Sequence, residues 1–146
     1  MDSRGISTVD FIFTIFLSLI IFIIGLNLIG NNLEDTMVME EELNGRMIVD
    51  SIANSINEVN SNNIGHIQEI TLPKNVSKRS FSITINQNKV LIEFGNRKGD
   101  SAIIPIRLAN FNKDIVNEIK LYPSESYKIQ KSSDDNNLTI IQIYKI

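Results

Sequence analysis

The stretch FIFTIFLSLIIFIIGLNLIG, residues 11–30, carries no charged side chain, and Thr14, Ser18 and Asn27 are its only hydrophilic ones. A helix of roughly 20 residues rises about 30 Å, the thickness of a bilayer's hydrocarbon core. Apolar residues fall on every face of such a helix, so a one-sided surface helix does not account for them. A buried core helix fails on size, because the rest of a 146-residue chain is too small to surround it. The run therefore reads as a membrane-spanning helix. A secretory signal peptide would have a shorter apolar region closed by a small-residue cleavage site. Here the run continues into NNLEDTMVMEEELNG, so the helix is expected to be retained. Arg4 precedes it, while Glu34, Asp35, Glu40, Glu41 and Glu42 follow. The positive-inside bias then puts the N-terminus in the cytoplasm and the remainder outside.

The rest of the composition excludes more than it assigns. With 14 basic and 17 acidic residues the net charge is -3, and no basic patch marks a nucleic-acid partner. The absence of cysteine removes disulfides, thiolate metal sites and cysteine nucleophiles. A single histidine, His66, lies in NSNNIGHIQ and reads as an exposed loop residue, which leaves no metal site and no Ser-His arrangement. No triad, metal cluster or phosphate loop is visible, so no enzyme and no cofactor are expected. Asp134-Asp135 and the Glu40 to Glu42 run read as a solvated loop and a solvated helix face.

Beyond Gly30 the helical period persists. Leu33, Met37, Leu43, Met47/Ile48, Ile52, Ile56 and Val59 recur at three- and four-residue steps among polar residues. No proline occurs before Pro73, so a continuous helix from Ser7 to Asn60 is allowed, with Gly25, Gly30 and Gly45 each costing about 1 kcal/mol relative to alanine. SNNIG closes it. Period-two patterns follow: Phe81, Ile83 and Ile85 in SFSITIN, then Val90, Ile92 and Phe94 in KVLIEF after a Gln87-Asn88 turn. GNRKGD reads as a turn and SAIIPIRL as a third strand, at an edge or bulged because Pro105 lacks an amide donor. IKLY, SYKIQK and LTIIQIYKI read as further strands, while FNKDIVNEI fits either a helical turn or a strand start. The expected fold is α+β. A long helix, spanning a membrane in its first half and amphipathic in its second, packs its stripe on one antiparallel sheet with a single apolar face.

At the start of the helix, RGISTVDF sets a carboxylate, Asp10, against the apolar run. Ser7 to Asp10 fits the S-x-x-[DE] capping box, and an acid in a first helical turn suits the helix dipole. The arrangement as a whole resembles the class III signal peptide of type IV pilins in its archaeal form. A short charged leader ends in Arg4-Gly5, and the apolar segment follows. The resemblance implies cleavage after Gly5 by a prepilin peptidase, with Arg4 holding the leader at the cytoplasmic face. Ile6 would carry the new amino terminus. Asp10 becomes the fifth mature residue, where the family usually has glutamate, and would pair with the amino terminus of a neighbouring subunit. An unpaired carboxylate in a helix bundle is costly and a neutralised one is tolerated, so the pairing would select one axial register. Phe11, Phe13, Phe16 and the rest of the run would form the filament core. Ile6 in place of phenylalanine and the lack of cysteine point to an archaeal member.

The resemblance thus implies a pilin-like fold divided into a leader (1–5), an assembly helix (6–30), its amphipathic continuation (31–63) and an extracellular β domain (64–146). It implies a major or minor subunit of a surface filament. Implied partners are the membrane, itself and other pilins, the prepilin peptidase, an assembly ATPase and a membrane platform protein. The alternative is an uncleaved single-span anchor whose outside β domain binds a ligand or an envelope protein. Asn75-Val-Ser77 and Asn137-Leu-Thr139 are candidate N-glycosylation sequons near expected turns.

Overall fold

The computed structural model describes the backbone of residues 3–146 and the side chains of all of these except residues 3–8, 31, 32, 34 and 35. One helix, α1 (Ser3–Ser61), is followed by eight strands: β1 (Ile67–Thr71), β2 (Phe81–Asn86), β3 (Lys89–Phe94), β4 (Arg97–Ala102), β5 (Leu108–Ala109), β6 (Glu118–Leu121), β7 (Ser126–Ser133) and β8 (Thr139–Lys145). The chain divides into two compact units, Met1–Glu40 and Glu41–Ile146. The first is wholly helical among the described residues.

In the second unit, α1 contributes Val49, Ile52, Ala53, Ile56 and Val59 to one apolar core shared with the inner faces of both sheets. The 3,1,3,3 spacing of these residues keeps them on one side of the helix. Burying each larger aliphatic is worth about 1.5–3 kcal/mol before entropy. The expected single sheet is in fact two, ordered β1-β7-β8-β5 and β4-β3-β2-β6. All pairings are antiparallel except β5 on β8. The expected 81–94 hairpin is present, with Phe81 opposite Phe94, Ile83 opposite Ile92 and Ile85 opposite Val90, all buried. Cross-strand apolar pairs of this kind stabilise a sheet.

SAIIPIRL does not form one strand. Pro105 has no amide to pair, and the chain crosses from β4 in one sheet to β5 in the other. The crossing is held by Ile103 and Ile106 N–H groups donating to Asn88 and Gln87 carbonyls, and by Ile104 N–H donating to Asn57 Oδ1 of the helix at 2.9 Å. FNKDIVNEI is neither a helical turn nor a named strand until Glu118. Its first part folds over the outer face of β8: Gln142 Nε2 donates to the Asn110 and Phe111 carbonyls, and the Phe111 ring meets Tyr144 edge-on at 5.1 Å. Ile140 and Gln142 are therefore buried on the face opposite the shared core.

Helix α1 has no basic residue in its last turn. Lys131 of β7 supplies the missing cation, donating from Nζ to the Asn60 and Asn62 carbonyls. Helix-end carbonyls lack intrahelical partners and favour a positive charge, so this contact fixes where the helix stops.

Gly45 also has a packing role. A Cβ there would lie 2.5 Å from Phe94 Cε1, so the missing side chain is the notch that admits a core ring against the helix backbone. Alanine would gain about 1 kcal/mol of helix propensity but incur an overpacking cost of about 1–3 kcal/mol. Gly45→Ala is expected to destabilise the unit by about 1 kcal/mol, with Phe94→Leu added to it recovering part of the loss. Denaturant unfolding of the full chain in detergent checks both.

At the start of β7, the Tyr127 hydroxyl accepts from Tyr122 N–H at 2.9 Å and donates to Glu125 Oε2. Burial first, and then the bond to Glu125, push its pKa up to about 12 from 10. The neutral phenol is the form the fold prefers, so its contribution is complete below pH 10 and lost as pH rises through 12. Wild type is expected to lose more stability than Tyr127→Phe between pH 9 and pH 12, measured by unfolding midpoints at each pH.

Candidate membrane and assembly segment

Within the first unit, Val9–Gly30 is long and apolar enough to cross a membrane by length and composition, with a mean hydropathy of 2.8 and none of it buried. Four phenylalanines, among them Phe11, Phe13 and Phe16, stand exposed along it. Val9, Ile12, Phe13 and Phe16 line a shallow apolar depression of about 360 Å³, and Phe11 lies outside it.

Each uncharged polar side chain of the run donates one hydrogen bond to its own helix. Thr14 Oγ donates to the Asp10 carbonyl at 2.8 Å, Ser18 Oγ to the Thr14 carbonyl at 2.8 Å, and Asn27 Nδ2 to the Ile23 carbonyl at 3.0 Å. Each bond returns to the carbonyl one turn back, which removes a donor from an apolar surrounding where an unmet one would cost several kcal/mol. Asp10 cannot be treated this way, because a carboxylate only accepts and the helix interior offers no free N–H. Among the described residues, no hydrogen bond or ion pair reaches the Asp10 side chain, which is exposed.

The expected capping box involves the Ser7 side chain, which lies outside the described residues. By backbone the helix is already running at Ser3, so Ser7 lies inside it and not at its first residue. Arg4, Gly5 and Ile6 lie on this helix by backbone, and their side chains fall outside the described residues.

The expected apolar stripe divides. Ile52, Ile56 and Val59 enter the core, whereas Leu33, Met37, Leu43 and Met47 stand more than half exposed. The acidic run divides too: Glu40 and Glu42 are solvated, but Glu41 is only 17% exposed and bridges Arg79 Nε at 3.3 Å and Arg97 Nη1 at 3.2 Å. Asn44 Nδ2 adds a 3.2 Å bond to Ser77 Oγ one helical turn on. Nothing in the EEE triplet distinguishes Glu41. Only the positions of Arg79 and Arg97 in the folded domain do.

In the β domain, Asp134 caps the β7–β8 turn, accepting from Asn136 and Leu138 N–H, and pairs with Arg107 at 3.2 Å. The Leu138 amide, with Asn136 and Arg107 beside it, holds the Asp134 carboxyl below the usual range. Asp135 is exposed, as expected of a solvated loop. His66 departs from expectation: it is half-buried beside β1, its carbonyl accepts from Lys131 N–H, and its Nε2 is buried with no partner among the described residues. No group of three or more potential metal ligands gathers among the described residues. Asn75 and Asn137 are both exposed, one between β1 and β2 and the other in the β7–β8 turn. No protein-family model, no curated protein and no solved structure matches the chain.

Proposed function

We propose that the chain is a structural subunit of an archaeal type IV pilus-like surface filament, made as a precursor, cut after Gly5 and polymerised through its N-terminal helix. The observation that carries this reading is the contrast inside the apolar segment. Thr14, Ser18 and Asn27 are bonded to their own helix, and Asp10 alone has nothing to bond to among the described residues. A solitary carboxylate beside an exposed apolar helix calls for a cation from another chain. Cleavage after Gly5 would generate one, the ammonium of Ile6, on every subunit.

The roles then separate. Gly5 presents a scissile bond without a side chain, and Arg4 keeps the leader at the cytoplasmic face. Ile6 brings the amino terminus and Asp10 the counter-charge. Phe11, Phe13, Phe16 and the other exposed apolar side chains supply adhesion when the helices leave the bilayer and bundle. The membrane, other subunits, the prepilin peptidase, the assembly ATPase and the platform protein are the partners this cycle requires. The β domain faces outside throughout.

N-terminal sequencing and intact mass of the native protein decide between this and the uncleaved anchor. A mature chain beginning at Ile6 is expected, and retention of residues 1–5 would leave the anchor. Gly5→Leu is expected to block maturation. Asp10→Asn is expected to insert into the membrane normally but to lower incorporation into filaments by tenfold or more, the effect of about 1.4 kcal/mol per subunit contact. Filament yield by sedimentation and microscopy reads it, and unchanged filaments would remove Asp10 from assembly.

A further inference from the structure

We propose that Asn137, and not Asn75, carries an N-linked glycan in the folded protein. The proposal rests on the reading that the β domain faces outside, where glycan transfer takes place. Both asparagines are exposed, so exposure alone does not separate them. The rest of each triplet does.

Around Asn137 the side chains of the acceptor triplet are free, although its backbone is held: Leu138 N–H donates to Asp134 Oδ1 and its carbonyl accepts from Asp134 N–H. Asn137 sits at φ +61°, a conformation asparagine tolerates, and its backbone N–H donates to the Asp134 carbonyl. The turn is held by Asp134, whose Oδ1 accepts from Asn136 and Leu138, so the Asn137 amide is not needed to keep it closed. Neither the Asn137 side chain nor the Thr139 hydroxyl makes a hydrogen bond among the described residues. Leu138 and Thr139 are exposed as well. All three positions of the sequon are exposed, Asn137 and Leu138 in the turn and Thr139 at the first residue of β8.

Around Asn75 the triplet is committed to the fold. Val76, its middle residue, is 2% exposed in the shared core, and its N–H and carbonyl both pair with Arg79. Ser77 sits at φ +46° in the tight turn, and its hydroxyl accepts from Asn44 Nδ2 of the helix. Presenting the Asn75 amide and the Ser77 hydroxyl together would require Val76 to leave the core and the turn to open. In the folded state only Asn137 offers an amide with an unengaged hydroxyl two residues on.

The reaction takes a sugar carried on a polyisoprenyl phosphate or diphosphate. Asn137 Nδ2 attacks the anomeric carbon, a C–N bond forms as the bond from that carbon to the phosphate oxygen breaks, and the amide proton passes to a base of the transferase. The lipid phosphate leaves with the electron pair of the broken bond. No redox change is involved.

The test is intact mass and glycopeptide mapping of the full chain purified from the cells that make it, compared with Asn137→Gln, Asn75→Gln, Thr139→Val and Thr139→Ser. The expected result is a glycan mass on the peptide containing Asn137. It should be lost in Asn137→Gln and Thr139→Val, and kept in Asn75→Gln and in Thr139→Ser, which preserves the sequon. A glycan on Asn75 would overturn the proposal. So would an unmodified Asn137 in a protein whose β domain is cut by protease added outside intact cells, and that result would leave the outside location standing. A domain shielded from that protease and unmodified would overturn both.

Discussion

One helix face holds the β domain together. Val49, Ile52, Ala53, Ile56 and Val59 meet the inner faces of both four-stranded sheets, and without them each sheet would expose one apolar side to water. The polar contacts along the same helix are of another kind. Glu41 with Arg79 and Arg97, Asn44 with Ser77, Asn57 with Ile104 and Lys131 with the helix end meet the β region at successive heights. Exposed and half-exposed pairs of this sort add about 0–1 kcal/mol each. Their effect is positional: apolar burial attaches the helix, and these bonds set its rotation and axial register against the strands.

The apolar segment of the first unit obeys a different economy. In water, a serine or threonine hydroxyl returning to its own helix gains little, since solvent would serve as well. In an apolar surrounding the same bond decides whether the residue can be there at all. The two hydroxyls of Val9–Gly30, Thr14 and Ser18, and the Asn27 amide are bonded in this way. Asp10 is the exception, and exceptions to local consistency are where function tends to concentrate.

The elements legible in the sequence were those with local, periodic signals. The helix, the 81–94 hairpin and the strands around Tyr127 and Ile141 each carry their own pattern, and each is present. What was not legible depends on contacts between residues far apart in the chain. The division into two sheets follows from the break at Pro105 and from β5, a two-residue strand too short to show a period. β1 has only Ile67 and Ile70 as large apolar residues, which is no alternation at all. Gly45 looked like a weak point of the helix, and only the ring of Phe94 shows why it is there. The half-buried His66 and the pairing of Glu41 belong to the same class. Of the assembly residues, the exposure of the phenylalanines follows directly from composition, because an all-apolar helix has no face to hide.

The position of β8 in the chain sets a condition on folding. It is bonded on both edges, by β7 and β5, and covered on both faces, by the shared core and by the segment carrying Phe111. Every other element of the two sheets precedes it in sequence. The first sheet therefore cannot close, and the core it shares with α1 cannot dry, until residues 139–145 have arrived. A β domain passed across a membrane in order of synthesis would keep its first sheet open until residues 139–145 had crossed, even with the second sheet already paired.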